Sequence, residues 1–278
     1  AREKIDFLDI ITDVGTHASF VAMAADHKIP VICQKPMGPT LPVAQQMVDR
    51  CKNVGVPLVI HENWRWQRPI RELQAVIASG AIGPIHRARI DYANSFPVFE
   101  NQPFLKELEQ FILTDIGSHI LDVARFLFGE ARTLYCQTKR VHHDIKGEDV
   151  ATVMMRMDSG ATVSCNMSYA SPVEHDRFPE TFIFIEGQNG SIELAPDFWL
   201  RVTTKAGTHA RRVPPPYFKW ADARYALVHS SIVACNADLL RALQTNTPAE
   251  TSGEDNLKTM KLVYASYDSA KRDQVFQL

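Results

Sequence analysis

A rhythm at the start of the chain constrains its fold more than any other feature. Residues 7–12, 31–33 and 56–60 are short apolar runs, and the stretches between them have helix-forming composition. Strands alternating with helices at this spacing make βαβ units, and so a parallel sheet with right-handed crossovers. The first helix is expected over about residues 17–25. The second is expected to begin at Thr40, whose hydroxyl suits an N-cap, with Pro42 in the first turn, and to end near Asn53.

The rhythm changes after Trp66. A helix is expected over 69–79, with Leu73, Val76 and Ile77 on its apolar stripe and Gly80 as its stop. Strand-like runs follow at 85–93, 133–141, 150–157, 161–169, 181–185, 191–194 and 199–203. Asp158-Ser159-Gly160 and Gly187-Gln188-Asn189-Gly190 are tight reversals. Helices over about 230–244 and 253–271 close the chain, which has no internal repeat. The expected fold class is α/β followed by α+β: a partial parallel-sheet domain over 1–66, then a larger domain over 67–278. Its sheet is expected to be open, mainly antiparallel and covered by helices on one face. Where the other face is apolar, a second subunit is expected to cover it. Met155, Met157, Val163 and Cys165 belong to these sheet surfaces, on faces that the sequence leaves open.

The 278 residues are 45% hydrophobic, enough for one large or two ordinary domains. A net charge of −2 with both signs interspersed offers no basic block for nucleic acid. No apolar stretch reaches membrane-spanning length, and the opening Ala1-Arg2-Glu3-Lys4 has no signal-peptide pattern. The five cysteines are scattered without a Cys-x-x-Cys pair, which argues against a zinc site or a disulfide framework and for a reducing, cytoplasmic setting.

Three segments carry candidate chemistry. Gln34-Lys35-Pro36 follows the second strand, where open α/β sheets bind ligands, and the proline stiffens the backbone behind the lysine. Lys35 reads either as a donor to a reacting hydroxyl oxygen or as a surface lysine on a βα turn; its neighbours favour the first. Asp115, His119 and Asp122 share a helix face by spacing. His119 suits proton transfer near neutrality, with a carboxylate to orient it. Alternatively Asp115 caps the helix and His119 is a satisfied, partly buried histidine; Asp115 can do both jobs. His61-Glu62-Asn63-Trp64-Arg65-Trp66 follows the third strand. There Asn63 and Arg65 can bond sugar hydroxyls while the tryptophans form flat walls, or the segment is a packed domain hinge. Nothing nearby completes a metal set around His61 and Glu62. His142-His143-Asp144 and Val173-Glu174-His175-Asp176 read as solvated loops.

Taken in order, these features resemble the NAD(P)-dependent glucose–fructose oxidoreductase/inositol dehydrogenase family (Gfo/Idh/MocA). The signs are Asp9-Ile10-Ile11-Thr12 with His17 at the next helix start, Gln34-Lys35-Pro36 where Glu-Lys-Pro is usual, and Asp115-x-x-x-His119 followed by Asp122. Within the family, Ile32-Cys33-Gln34-Lys35-Pro36, His61-Glu62-Asn63-Trp64-Arg65-Trp66-Gln67, Gly147-Glu148-Asp149-Val150-Ala151-Thr152 and Asp255-Asn256-Leu257-Lys258-Thr259 look like the D-apiose dehydrogenase-like sugar dehydrogenases. The resemblance implies hydride transfer between a nicotinamide and a carbinol carbon of a sugar or polyol. His119 would take the hydroxyl proton, Asp115 would hold His119, and Lys35 would anchor the same oxygen. NAD or NADP would lie along Thr12, His17, Gln34, Lys35 and Pro36; the substrate would meet Asn63, Trp64, Arg65, Asp115 and His119. A homodimer or homotetramer through the large sheet is also implied.

One departure is large. The family begins with a strand, a Gly-x-Gly-x-x-Gly turn and a helix that cradle the pyrophosphate, and no such motif occurs here. Residues 1–66 therefore resemble the C-terminal half of a Rossmann domain, with the earlier half expected to be truncated, clipped or absent from this sequence. This polypeptide is expected to bind NAD(P) weakly or not at all. The rival expectation is a non-catalytic oligomeric module that holds a sugar or sugar acid in the same crevice.

Overall fold

The computed structural model describes residues 4–174 and 177–278. Its elements are, in chain order, β1 (Leu8–Ile10), α1 (Val14–Asp26), β2 (Val31–Gln34), α2 (Leu41–Val54), β3 (Leu58–His61), α3 (Arg68–Ala78), β4 (Ile85–Ala93), α4 (Val98–Asn101), α5 (Ser118–Phe128), β5 (Ala131–Lys139), β6 (Val150–Met157), β7 (Thr162–Ser168), β8 (Phe182–Gly187), β9 (Gly190–Ala195), β10 (Trp199–Thr204), β11 (Gly207–Arg212), α6 (Ala226–Thr245), α7 (Gly253–Arg272) and β12 (Phe276–Gln277).

Strands β1, β2 and β3 form a parallel sheet in that order, with Ile10 opposite Cys33 and Cys33 opposite Ile60. Local chemistry sets the two crossover helices. The Asp13 carboxylate accepts from the Gly15 N–H at the start of α1, and the Thr40 hydroxyl accepts from the Val43 N–H at the start of α2. Gly55 ends α2 with φ of 70°, a left-handed conformation open to glycine. Val31, Cys33 and Ile60 face Val21, Ala24, Ala44, Met47 and Val48. Residues of the opposite parity, Ile32 and Val59, pack against Cys235, Leu239 and Ala242 of α6. The last helices thus return to the small sheet, since α7 also adds Leu257 and Met260 to its first face.

The second sheet has nine strands in the order β11-β10-β9-β8-β4-β7-β6-β5-β12, antiparallel except for β4 beside β7. Strand β6 alternates strictly, with Ala151, Val153, Met155 and Met157 buried between exposed Thr152, Met154 and Arg156. Met155, Met157, Val163 and Cys165 all point into the main core with Ile120, Leu121 and Val123 of α5. The opposite face carries Arg87, Arg89, Thr152 and Arg156, with Met154 half-exposed among them. Two edge strands escaped sequence reading. β11 is Gly-Thr-His-Ala-Arg-Arg, without apolar alternation, and β12 has two residues. Positive charge on an exposed edge is a common guard against further pairing.

The large domain builds the start of α5 with unusual care. Residues Leu113–Gly117 form a π-helical turn that runs into α5. The N–H groups of Phe111 and Leu113 donate to the Glu148 carboxylate at 3.3 and 3.2 Å, and the Ile112 N–H donates to the Glu148 carbonyl at 3.1 Å. Tyr267 of α7 donates its hydroxyl to the same carboxylate at 2.7 Å. An acid from the loop before β6 therefore satisfies the orphan donors of a helix start more than thirty residues earlier. Asp149, next in sequence, accepts from the N–H groups of Val141 and His142 and from the His142 ring, so this loop is pinned. Of the other polar loop, His175 and Asp176 lie outside the described residues.

Candidate functional site

Lys35 leaves the end of β2 and crosses to the π-helical turn before α5. Its Nζ lies 2.9 Å from Asp115 Oδ1 and 3.2 Å from the Asp115 carbonyl oxygen. Tyr169, just past β7, donates its hydroxyl to Asp115 Oδ2 at 3.2 Å. Burial pushes the Asp115 carboxyl up, but Lys35, His119 and the Tyr169 hydroxyl outweigh it and hold the group below the ordinary carboxylate range. Burial, and then the Asp115 charge, push the Tyr169 phenol well above its ordinary value, so Tyr169 is a donor at neutral pH.

His119 lies in the first turn of α5, buried with 6% exposure. Its Nδ1 is 2.5 Å from Glu62 Oε1, and the Trp64 N–H donates to the same oxygen at 3.1 Å. The Trp64 ring stacks on the imidazole with centroids 4.6 Å apart and planes 3° from parallel. Nδ1 is thus committed, while Nε2 has no protein partner among the described residues and is not a buried unpaired atom. Glu62 is fully buried; burial works against its charge, yet His119, the Trp64 N–H and Lys35 hold its carboxyl below the ordinary range.

This arrangement revises several expectations. Asp115 was expected to hold His119, but no hydrogen bond joins them; its carboxylate accepts instead from Lys35 on Oδ1 and from Tyr169 on Oδ2. Asp122 turns away into a buried pair with Arg65, whose Nε and Nη2 lie 2.7 and 2.6 Å from its two oxygens. Arg65 was expected to face a sugar. Instead it also donates to Asp255 at 2.9 Å and to the Glu250 carbonyl at 3.1 Å, which leaves it a structural clamp between β3, α5 and α7. Asn63 donates its amide to the Ser231 hydroxyl of α6 at 2.7 Å. Trp64 is a wall, as expected of a flat ring, but its face is taken by His119.

Of the residues expected along a cofactor, Thr12 is exposed just past β1. His17 is buried, with Nδ1 and Nε2 each 3.2 Å from a carbonyl oxygen, those of Met37 and Thr12. Its ring ties the loop after β1 to the loop after Pro36 and does not reach outward. Gln34 is partly buried and ends β2.

Sequence reading missed Glu62, Tyr169 and Glu148 as parts of this site. Glu62 was in view only as a metal ligand lacking a set; its pairing with His119 spans 57 residues and leaves no spacing signal. Glu148 sits in the resembling Gly147-to-Thr152 stretch, but nothing in sequence says that it caps α5.

The comparisons follow this geometry. Residues 1–62 match the oxidoreductase family with an NAD-binding Rossmann fold, and residues 70–193 match the GFO/IDH/MocA C-terminal domain. A D-apiose dehydrogenase of Rhizobium rhizogenes is 44% identical over 95% of this chain and 77% of its own length. Another, from Paraburkholderia graminis, is 40% identical over all of this chain and 74% of its own. An oxidoreductase from Agrobacterium radiobacter, solved with NAD+, L-tartaric acid and magnesium, superposes with a TM-score of 0.96 at 43% identity, covering 98% of this chain and 80% of that one. The chain belongs to the Gfo/Idh/MocA family of oxidoreductases.

Residues 1–62 match an NAD-binding Rossmann family, which supports a nicotinamide cofactor. Thr12, Lys35 and Glu62 all follow the carboxyl ends of parallel strands, where such sheets bind ligands. Ile11, beside Thr12, is an apolar side chain 69% exposed. Lys35 has three ammonium N–H groups and two contacts, both to Asp115, which leaves one for a further oxygen. Among the described residues no helix is long and apolar enough to cross a membrane.

Proposed function

We propose that this protein oxidises a carbinol carbon of a sugar, with D-apiose the first candidate, and that Lys35 and His119 together hold the reacting hydroxyl. The observation that carries this is the presence of two couples, Lys35 with Asp115 and His119 with Glu62. The Lys35 charge acts on both Asp115 and Glu62, so the two couples share one electrostatic site.

The remaining Lys35 N–H donates to the substrate oxygen, and His119 Nε2 accepts the hydroxyl proton. When bound, the nicotinamide accepts the hydrogen that leaves the carbon with its electron pair, and the C–O bond becomes a carbonyl. Asp115 holds the lysine in place. Tyr169 fixes Asp115 from the other side. The choice of sugar follows the two D-apiose dehydrogenases, which are 44% and 40% identical to this chain.

The test is an assay of the intact enzyme with NAD+ or NADP+ against D-apiose, other aldoses and polyols. Sugar-dependent growth of the reduced-nicotinamide absorbance is expected, fastest with D-apiose. Stabilisation by a sugar with no absorbance change under any cofactor would leave a binding module and overturn the proposal.

A further inference from the structure

The family resemblance gives His119 an aspartate, Asp115, as its partner. The structure offers a different one. No hydrogen bond joins Asp115 to the imidazole; its Oδ1 accepts from Lys35 and its Oδ2 from Tyr169. Glu62 has the contact that Asp115 lacks, at 2.5 Å. It is fully buried, and the only hydrogen-bond partners of its carboxylate among the described residues are the His119 ring and the Trp64 N–H, both on Oε1. Its second oxygen is buried without a partner. A buried carboxylate held this way is costly unless the contact it makes is required.

The surroundings hold the imidazole at one edge and on one face. Glu62 meets its edge. Trp64, two residues on and tied by its own N–H to the same carboxylate oxygen, covers its face. Cys235 of α6 points its thiol at the Glu62 carbonyl at 3.7 Å, which anchors the segment from behind. A neutral imidazole has one N–H, and a carboxylate at Nδ1 can only accept, so the proton belongs on Nδ1 and the lone pair on Nε2.

We infer that Glu62 is the positioning residue for His119, holding it in the Nδ1–H tautomer with Nε2 free to take a proton from the substrate, and that Asp115 serves Lys35 instead. This rests on the function proposed above only in naming the substrate proton; the tautomer is a property of the protein alone.

The test compares Glu62→Gln with Asp115→Asn and with Glu62→Asp as the conservative variant. The side-chain amide that Glu62→Gln introduces can either accept from or donate to Nδ1, so the Nδ1–H tautomer is no longer enforced. In nitrogen-15 histidine spectra of the wild type at neutral pH, His119 is expected to show a protonated Nδ1 and an unprotonated Nε2. Glu62→Gln is expected to shift that balance toward the Nε2–H form, and Asp115→Asn to leave it in place. In the intact enzyme Glu62→Gln is expected to lower kcat by about 10²–10⁴-fold with little change in KM, as misplacing the tautomer does where a carboxylate orients a catalytic imidazole. Glu62→Asp is expected to recover part of that loss. A wild-type Nε2–H tautomer, or a Glu62→Gln variant with unchanged spectrum and rate, overturns the inference. The expected tautomer shift in a protein that oxidises no sugar upholds the pairing and overturns the proposed function instead.

Discussion

Lys35 and Asp115 stand 80 residues apart in sequence and are joined twice, by the ammonium on Oδ1 at 2.9 Å and on the Asp115 carbonyl at 3.2 Å. The pair stitches the end of the small parallel sheet to the start of the helix that carries His119. It therefore has two separable roles, in stability and in turnover. Lys35→Ala leaves Asp115 with the Tyr169 hydroxyl as its remaining side-chain donor. The stability cost is expected to be about 1–2 kcal/mol, the penalty of a partly buried acceptor that loses its partner. The loss in kcat is expected to be about 10²–10⁴-fold. Asp115 titrates below its ordinary value, so its share of stability is present above that value and fades as pH falls through the lower folded one. Without Lys35 the folded value rises toward the ordinary one and that share shrinks. Thermal melts at pH 7 and turnover measured together check this; wild-type kcat in the variant rejects the assignment of Lys35.

Arg65 and Asp122 behave differently. They form a fork of two bonds in the protein interior, with side-chain exposures of 6% and 0%. Removing one partner of such a pair strands a buried charge, so Arg65→Ala is expected to cost about 3–5 kcal/mol. Urea unfolding measures it. If Arg65 instead bound substrate, the variant would keep its midpoint and show a raised KM alone.

The contrast between Lys35 and Arg65 shows what the sequence could and could not convey. The parallel sheet was legible, since apolar runs alternate with helical segments and Thr40 marks the start of α2. The antiparallel domain was legible where strands alternate, as in β6, and not where edge strands are polar, as in β11. Lys35, Asp115 and His119 stood out by residue type and place. Their partners did not, because a carboxylate's choice among neighbours depends on long-range packing. Asp115 and His119 have the spacing of partners along a helix, yet Lys35 and Tyr169 compete for Asp115 from 80 and 54 residues away. Arg65 follows the third strand of the parallel sheet, but the buried carboxylate of Asp122 on α5 draws it inward.

Gly147 is a second position where the structure makes a sharp demand. A Cβ built there would lie 2.6 Å from the Leu108 carbonyl oxygen and 3.0 Å from both the N and the Cβ of Phe111. Backbone atoms must move to admit it, and those atoms begin the turn that Glu148 caps. Gly147→Ala is expected to cost about 1–3 kcal/mol and to displace Asp115 and His119 together. Both kcat and the melting temperature should fall. Glu148→Gln, which keeps the shape and an acceptor, is expected to be milder. A Gly147→Ala variant with unaltered melting temperature and rate would show that the close approach is relieved at no cost.

Glu130, at the end of α5, gives the clearest pH signature. Arg125 Nε and Nη2 lie 3.0 and 2.9 Å from its two oxygens, and Lys258 lies 3.1 Å from one of them. The hydrogen bonds from Arg125, foremost, pull its carboxyl from 4.5 down to about 2. A depressed carboxylate contributes stability above its unfolded value and loses it as pH falls through the folded one, so the contribution fades between pH 4.5 and about 2. The side chain is 42% exposed, and solvent screening limits the contribution to about 1 kcal/mol or less. Glu130→Gln is expected to melt lower than wild type at pH 7, with the two curves converging as pH drops below 4.5 toward 2. Raised salt should narrow the gap at neutral pH, as it does for partly exposed ion pairs. Melting curves that stay parallel across the acid range would show that Arg125 and Lys258 leave the titration of Glu130 as it is in the unfolded chain.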